Sequence, residues 1–159
     1  DWQVFNAGIN SDLAETLLRR LDGVIAVNPD FITILIGTND VNATLSKVAL
    51  NRYHRHGKTA GQPDVDQYRR NLTEIVRRLK TEIPARIALL SLPPMSEDLT
   101  HEANRRADFY SNIIQEIATA EGVAYLPLRE RMKAELAVAP PRQSARFEET
   151  TQTIFVATL

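Results

Sequence analysis

Two short polar segments in this chain combine residue types able to stabilise negative charge. Gly37-Thr38-Asn39-Asp40 follows directly on the apolar run 31–36, and Asn6-Ala7-Gly8-Ile9-Asn10-Ser11 follows Val4 and Phe5. A glycine at the end of a strand lets the backbone leave the sheet in a tight turn. Gly37 would then aim the Asn39 carboxamide, which carries two N–H donors and one acceptor oxygen, over the sheet's carboxyl edge. The same residue types also make helix caps and Asx-turns, which need no ligand, and local chemistry alone favours that plainer reading.

The other reactive side chains are sparse. Histidines occur only at 54, 56 and 101. His54 and His56, two residues apart, hold a metal only if a third ligand such as His101 converges on them, and two exposed loop histidines are the commoner case. Asp98-Leu99-Thr100-His101 has Asp-x-x-His spacing, but it lies just after Pro93-Pro94 and ahead of a helix, where both residues serve as caps and flanks. Among Ser11, Ser46, Ser91, Ser96, Ser111 and Ser144, only Ser11 sits in a strand-to-helix turn beside small residues. The chain has no cysteine, which excludes disulfides, thiolate metal sites and a cysteine nucleophile.

These segments need a frame. The chain has 159 residues, 43% hydrophobic and 25% charged, with 19 basic against 20 acidic side chains, which fits one globular domain. A net charge of −1 supplies no field for a nucleic acid, and no apolar run is long enough to span a membrane. Short apolar runs alternate with amphipathic stretches, the pattern of an α/β domain with a parallel sheet. Strands are expected at Val4-Phe5, 31–36, 86–92 and 123–126. Helices are expected on four stripes. These are Leu13, Leu17, Leu21 and Val24 or Ile25, with Asp12 as N-cap; Tyr68, Leu72, Ile75 or Val76, Leu79 and Ile83; Ala107, Tyr110, Ile113 or Ile114 and Ile117, over about 102–121 with Gly122 as left-handed cap; and Leu128, Met132 and Leu136. Run 31–36, without alternation, reads as a strand covered on both faces. Residues 41–63 form a long polar excursion, expected to be partly ordered with room for a short helix, and a candidate lid. Residues 153–159 read as a strand or a helix start. Four strands and their crossovers specify a flavodoxin-like three-layer α/β/α sandwich, whose ligands collect at the strands' carboxyl ends.

With that frame, the chain resembles the SGNH, or GDSL-type, hydrolases. The resemblance rests on residues 4–11, on Ile34-Leu35-Ile36-Gly37-Thr38-Asn39-Asp40 some thirty residues later, and on three further places: the strand end Ser91-Leu92-Pro93-Pro94, the helix containing Asn104, and residues 122–128. It covers nearly the whole chain. It implies hydrolysis of carboxylic esters through a Ser-His-Asp triad, without metal or organic cofactor, with the oxyanion held by two backbone N–H groups and an Asn side chain. It assigns that side chain to Asn39 and one N–H to Ser11, where the family commonly has glycine, with Gly8 and Gly37 shaping the turns. Ser11 suits the role if the backbone there does not demand a positive φ.

Two departures are larger. The family's nucleophile lies in a Gly-Asp-Ser turn, which does not occur here, and Asp-x-x-His is absent from its expected place near the C-terminus. We therefore expect a single incomplete domain over 1–159, lacking its central first strand, inactive alone, and prone to self-association through an uncovered strand edge. The alternative is a non-catalytic α/β module that binds a small ligand or a protein partner at the same sheet edge.

Overall fold

The computed structural model describes residue 1 and residues 3–138, so the expected element at 153–159 lies outside the described residues. Three parallel strands, β1 (Phe31–Ile34), β2 (Arg86–Leu90) and β3 (Ala124–Leu126), form one sheet in the order β1-β2-β3. Seven helices flank it: α1 (Ala14–Arg19), α2 (Leu21–Ile25), α3 (Thr38–Leu45), α4 (Lys47–Arg55), α5 (Val65–Glu82), α6 (Glu102–Glu121) and α7 (Leu128–Val138). This is the α/β, flavodoxin-like class that the alternation implied.

The strongest periodicities gave the best-placed helices. Tyr68, Leu72, Ile75, Val76 and Leu79 form the buried face of α5. Ala107, Tyr110, Ile113, Ile114 and Ile117 do the same for α6, which ends at Gly122 in the left-handed region, φ 67° and ψ 35°. Pairing Ile32 with Ile87, Ile34 with Leu89, and Leu89 with Tyr125 sets these side chains on one sheet face, where Ile34, Ile87 and Leu89 join the core of α5 and α6. The other face carries Phe31, Thr33, Arg86, Ala124 and Leu126, all exposed. Among the described residues, then, β1 is covered on one face only, against the expectation of cover on both.

Three expectations fail locally. Val4 and Phe5 form no strand and stand 89% and 57% exposed. A strand exists only by pairing its N–H and C=O groups, and among the described residues nothing pairs with this segment. The first helical stripe is split into α1 and α2 by Arg20, at φ −111° and ψ 13°. In α7 the apolar stripe is not the anchor: Met132 is exposed, and the buried residue is Arg129. Its guanidinium, on a 2% exposed residue, donates to Asp108 Oδ1 (2.5 Å) and to the carbonyls of Pro93 (3.1 Å) and Asn104 (2.8 Å), satisfying its fork of donors.

Candidate active site

The site begins where β1 ends. Gly37 has φ +127° and is the N-cap of α3. A Cβ on it would lie 2.7 Å from the Tyr68 hydroxyl oxygen, which donates to the Ile36 carbonyl at 2.9 Å. Both the backbone angle and this close approach require glycine. Thr38, Asn39 and Asp40 then make the first turn of α3, so neither Asn39 nor Asp40 caps its own helix.

Asp40 reaches across the fold instead. Its carboxylate is buried and accepts the Ala14 N–H at 3.2 Å, satisfying an amide at the start of α1. Burial pushes the Asp40 carboxyl up from 3.8 to about 7, against the opposing pull of that hydrogen bond.

Asn39 is half-buried, and both ends of its carboxamide are engaged. Nδ2 donates to the Asp12 carbonyl at 2.9 Å, and Oδ1 accepts from the Tyr53 hydroxyl at 2.9 Å. The Tyr53 oxygen accepts in turn from Asn42 Nδ2 at 3.0 Å. Asp12 uses one of the two Nδ2 hydrogens, and the second has no acceptor among the described residues.

The residue before Asp12 is Ser11. The Asp12 N–H donates to the Ile9 carbonyl at 3.2 Å, closing a turn whose third residue, Ser11, has φ +64°. That position of a type II turn normally takes glycine. The condition set for Ser11 is therefore not met: serine holds a positive φ here at a conformational cost, although its N–H, which any residue but proline carries, has no acceptor among the described residues. Gly8 lies outside the left-handed region. Its N–H donates to Asn6 Oδ1 at 2.9 Å in an exposed Asx-turn. The structure thus brings Asn39 and the Ser11 turn together through the Asp12 carbonyl, with Gly37 beneath Asn39 and Gly8 farther along the exposed approach.

Asp12 does not serve as the helix N-cap. Leu13 occupies that position, and its N–H is accepted by Thr16 Oγ1 at 2.8 Å. The Asp12 side chain, 4% exposed, pairs with Arg20 Nε and Lys58 Nζ, each at 2.7 Å. A carboxylate removed from water needs these two cations more than one amide. Lys58 belongs to the 41–63 excursion, which is largely helical: it comprises most of α3, all of α4 and a following loop. Tyr53 and Leu50 of α4 pack with Leu13 and Ala43, while Arg19 Nη2 donates to the carbonyls of Gly57 and Lys58, both at 3.2 Å.

Two of the histidines, His54 and His101, are engaged locally, and His56 is exposed. His54 Nε2 lies 2.8 Å from the Gly61 carbonyl. His56 ends α4, and His101 Nδ1 accepts the Ala103 N–H at 3.1 Å as the N-cap of α6. Among the described residues no three His, Cys, Asp or Glu side chains could hold a metal ion. Asp98 Oδ1 accepts from the Thr100 backbone at 2.8 Å and from its hydroxyl at 2.6 Å, so the Asp-x-x-His match is two local caps. An open depression of about 460 Å³, lined by residues including Thr44, Val65, Arg106 and Phe109, includes neither Asn39 nor Ser11.

Sequence reasoning missed Tyr53, because it lies in a polar stretch, and the roles of Asp12 and Asp40, because their partners are remote in sequence. One signal for Tyr53 was present. Leu50 and Tyr53, spaced i and i+3, are the large apolar-bodied side chains on one face of an otherwise polar helix.

A family model described as GDSL-like lipase/acylhydrolase matches residues 1–146. No curated protein sequence matches the chain significantly. Similar solved structures include an acetylxylan esterase from Geobacillus stearothermophilus, with TM-score 0.72 and 22% identity, covering 86% of this chain and 58% of that one. A catalytic mutant of the same enzyme aligns with TM-score 0.73 and 22% identity over 87% and 60% of the two chains. The acetyl xylan esterase AlAXEase aligns with TM-score 0.62 and 25% identity, over 80% of this chain and 60% of that one. The chain therefore spans about three fifths of the length of these structures.

Proposed function

The chain belongs to the GDSL-like lipase/acylhydrolase family, and from that premise we propose that it carries the oxyanion-stabilising half of a serine ester hydrolase. The observation that carries this reading is the Asn39 carboxamide, anchored on the carbonyl of Asp12, the residue that follows Ser11. In this reading two donors of different origin, the Asn39 side chain and the Ser11 backbone, both on half-buried residues, would share the oxyanion. Fixed dipoles of this kind stabilise charge that develops only in the transition state.

In the proposed reaction a serine hydroxyl loses its proton to a histidine and attacks the acyl carbon of a carboxylic ester. The carbonyl electron pair moves onto oxygen, which Asn39 Nδ2 and the Ser11 N–H hold. Collapse of this adduct expels the alcohol, protonated by the same histidine, and water then releases the acid by the reverse sequence. Gly-Asp-Ser does not occur in these 159 residues, nor does Asp-x-x-His near residue 159. The reading accordingly takes the nucleophile and its Asp-His partners from segments outside this sequence. Residues 41–63, pinned against the site by Tyr53 and Lys58, would shape the space above it.

The test compares this chain with the full reading frame that contains it. Fluorophosphonate should label a Gly-Asp-Ser serine in the full product and leave the isolated chain unlabelled. The full product should hydrolyse short-chain aryl esters or acetylated xylan, and Asn39→Ala should lower kcat on the order of 10²–10³-fold. Stoichiometric labelling of the isolated chain would overturn the division of the site. A full product that neither labels nor hydrolyses any ester would support the non-catalytic binding module instead.

A further inference from the structure

We propose that Tyr53 is a positioning residue whose hydroxyl locks the Asn39 carboxamide in the orientation that presents an N–H to the reacting oxygen; this rests on the oxyanion reading above. A carboxamide can turn over by 180°, exchanging its oxygen for its NH₂ group, and only one of the two orientations stabilises an anion. Three observations fix the orientation. Asn42 Nδ2 donates to the Tyr53 oxygen at 3.0 Å, which occupies an acceptor site of the hydroxyl and directs its hydrogen elsewhere. That hydrogen goes to Asn39 Oδ1 at 2.9 Å, and Asn39 Nδ2 then faces the Asp12 carbonyl at 2.9 Å. Flipping Asn39 would set its oxygen against the Asp12 oxygen and its NH₂ against the tyrosine's donated proton. The first contact would be repulsive, and the second would forfeit the hydrogen bond that the tyrosine donates.

The arrangement spans two helices. Asn39 and Asn42, three residues apart on α3, share a helix face. The tyrosine comes from α4 and is 4% exposed, packed with Leu13, Ala43 and Leu50. Its ring therefore has little freedom to leave, and its hydroxyl is held between two half-buried carboxamides. The polar segment at 41–63 thereby gains a chemical task beyond covering the site: it supplies the hydroxyl that decides which end of Asn39 meets the substrate.

The test uses Tyr53→Phe, which keeps the ring and deletes the hydroxyl, in the full reading-frame product. We expect kcat on an aryl ester to fall about tenfold, the worth of one aligned hydrogen bond, with KM within about twofold. Asn39→Ala should fall much further, and the double variant no further than Asn39→Ala alone. If Asn39→Ala leaves kcat unchanged, the oxyanion reading and this proposal fall together. If Asn39→Ala is crippled while Tyr53→Phe keeps its full kcat, or if the two losses multiply, only the positioning role is overturned. Asn42→Ala, which leaves the tyrosine in place, should lower kcat in the same direction and serves if Tyr53→Phe folds poorly. Independently of turnover, solvent exchange of the Asn39 side-chain amide protons, followed by NMR in the 159-residue chain, should speed up about tenfold in Tyr53→Phe. Unchanged exchange would overturn the proposal.

Discussion

Asp40 holds the start of α1 with a carboxyl that burial has pushed up to about 7. Because its folded pKa lies above the unfolded value, the folded state binds the extra proton. Stability from this group is full below about pH 4 and is lost as pH rises through about 7, a change of roughly 4 kcal/mol. Urea midpoints across that range should decline in the wild type, while Asp40→Asn should flatten the decline and be the more stable protein at pH 8. Gly37→Ala faces both a positive φ and the Tyr68 hydroxyl, and should cost at least about 2 kcal/mol in the same measurement. Ser11 points the other way. It sits at φ +64° without glycine's freedom, so Ser11→Gly should raise stability by up to about 1 kcal/mol, read as a higher Tm. Neither Asp40's reach to Ala14 nor Ser11's angle was legible from composition. The first depends on a partner 26 positions away, and the second on a turn whose usual glycine has been replaced.

Among the elements, α4 and its loop are tied to the segment before α1 by the largely buried Lys58–Asp12 ion pair. Lys58→Met keeps the aliphatic stem and removes the charge, leaving Arg20 as the remaining partner of Asp12. It should cost about 1–2 kcal/mol and speed proteolytic cleavage within residues 56–64, with α5 and α6 still protected. The contrast between these helices shows what sequence conveys. α5 and α6 were readable because five buried side chains on each recur at helical spacing and a proline or glycine marks the end. Val4-Phe5 was misread because apolar character does not create a strand without a neighbour to pair with. α4 was read only as part of an excursion, since its burial rests on two residues, Leu50 and Tyr53. Asn39 emerged from the family motif; its local chemistry alone favours a cap or an Asx-turn. Arg129 gave no signal at all, because a buried arginine is defined by its acceptors, here gathered from two distant segments, residues 92–93 and α6.

At the scale of the whole molecule, the sheet presents one packed face and one carrying Phe31 at 53% and Leu126 at 40% exposure. With Val4 and Phe5 also in solvent, this apolar surface should bind a reporter dye such as ANS and drive concentration-dependent association in sedimentation runs. Phe31→Glu combined with Leu126→Glu should reduce both, with an unchanged far-ultraviolet circular dichroism spectrum. The contact between Gly37 and Tyr68 reaches further, into how such a sequence can diversify. A lineage could accept a side chain at 37 only after trimming residue 68, yet trimming 68 first strips the Ile36 carbonyl of its donor and leaves the torsional demand at 37 untouched. Each single step is downhill in fitness before the next can repair it. Descendants of this chain should therefore keep both residues or lose both, and the turn beneath Asn39 should drift more slowly than its accessibility alone would suggest.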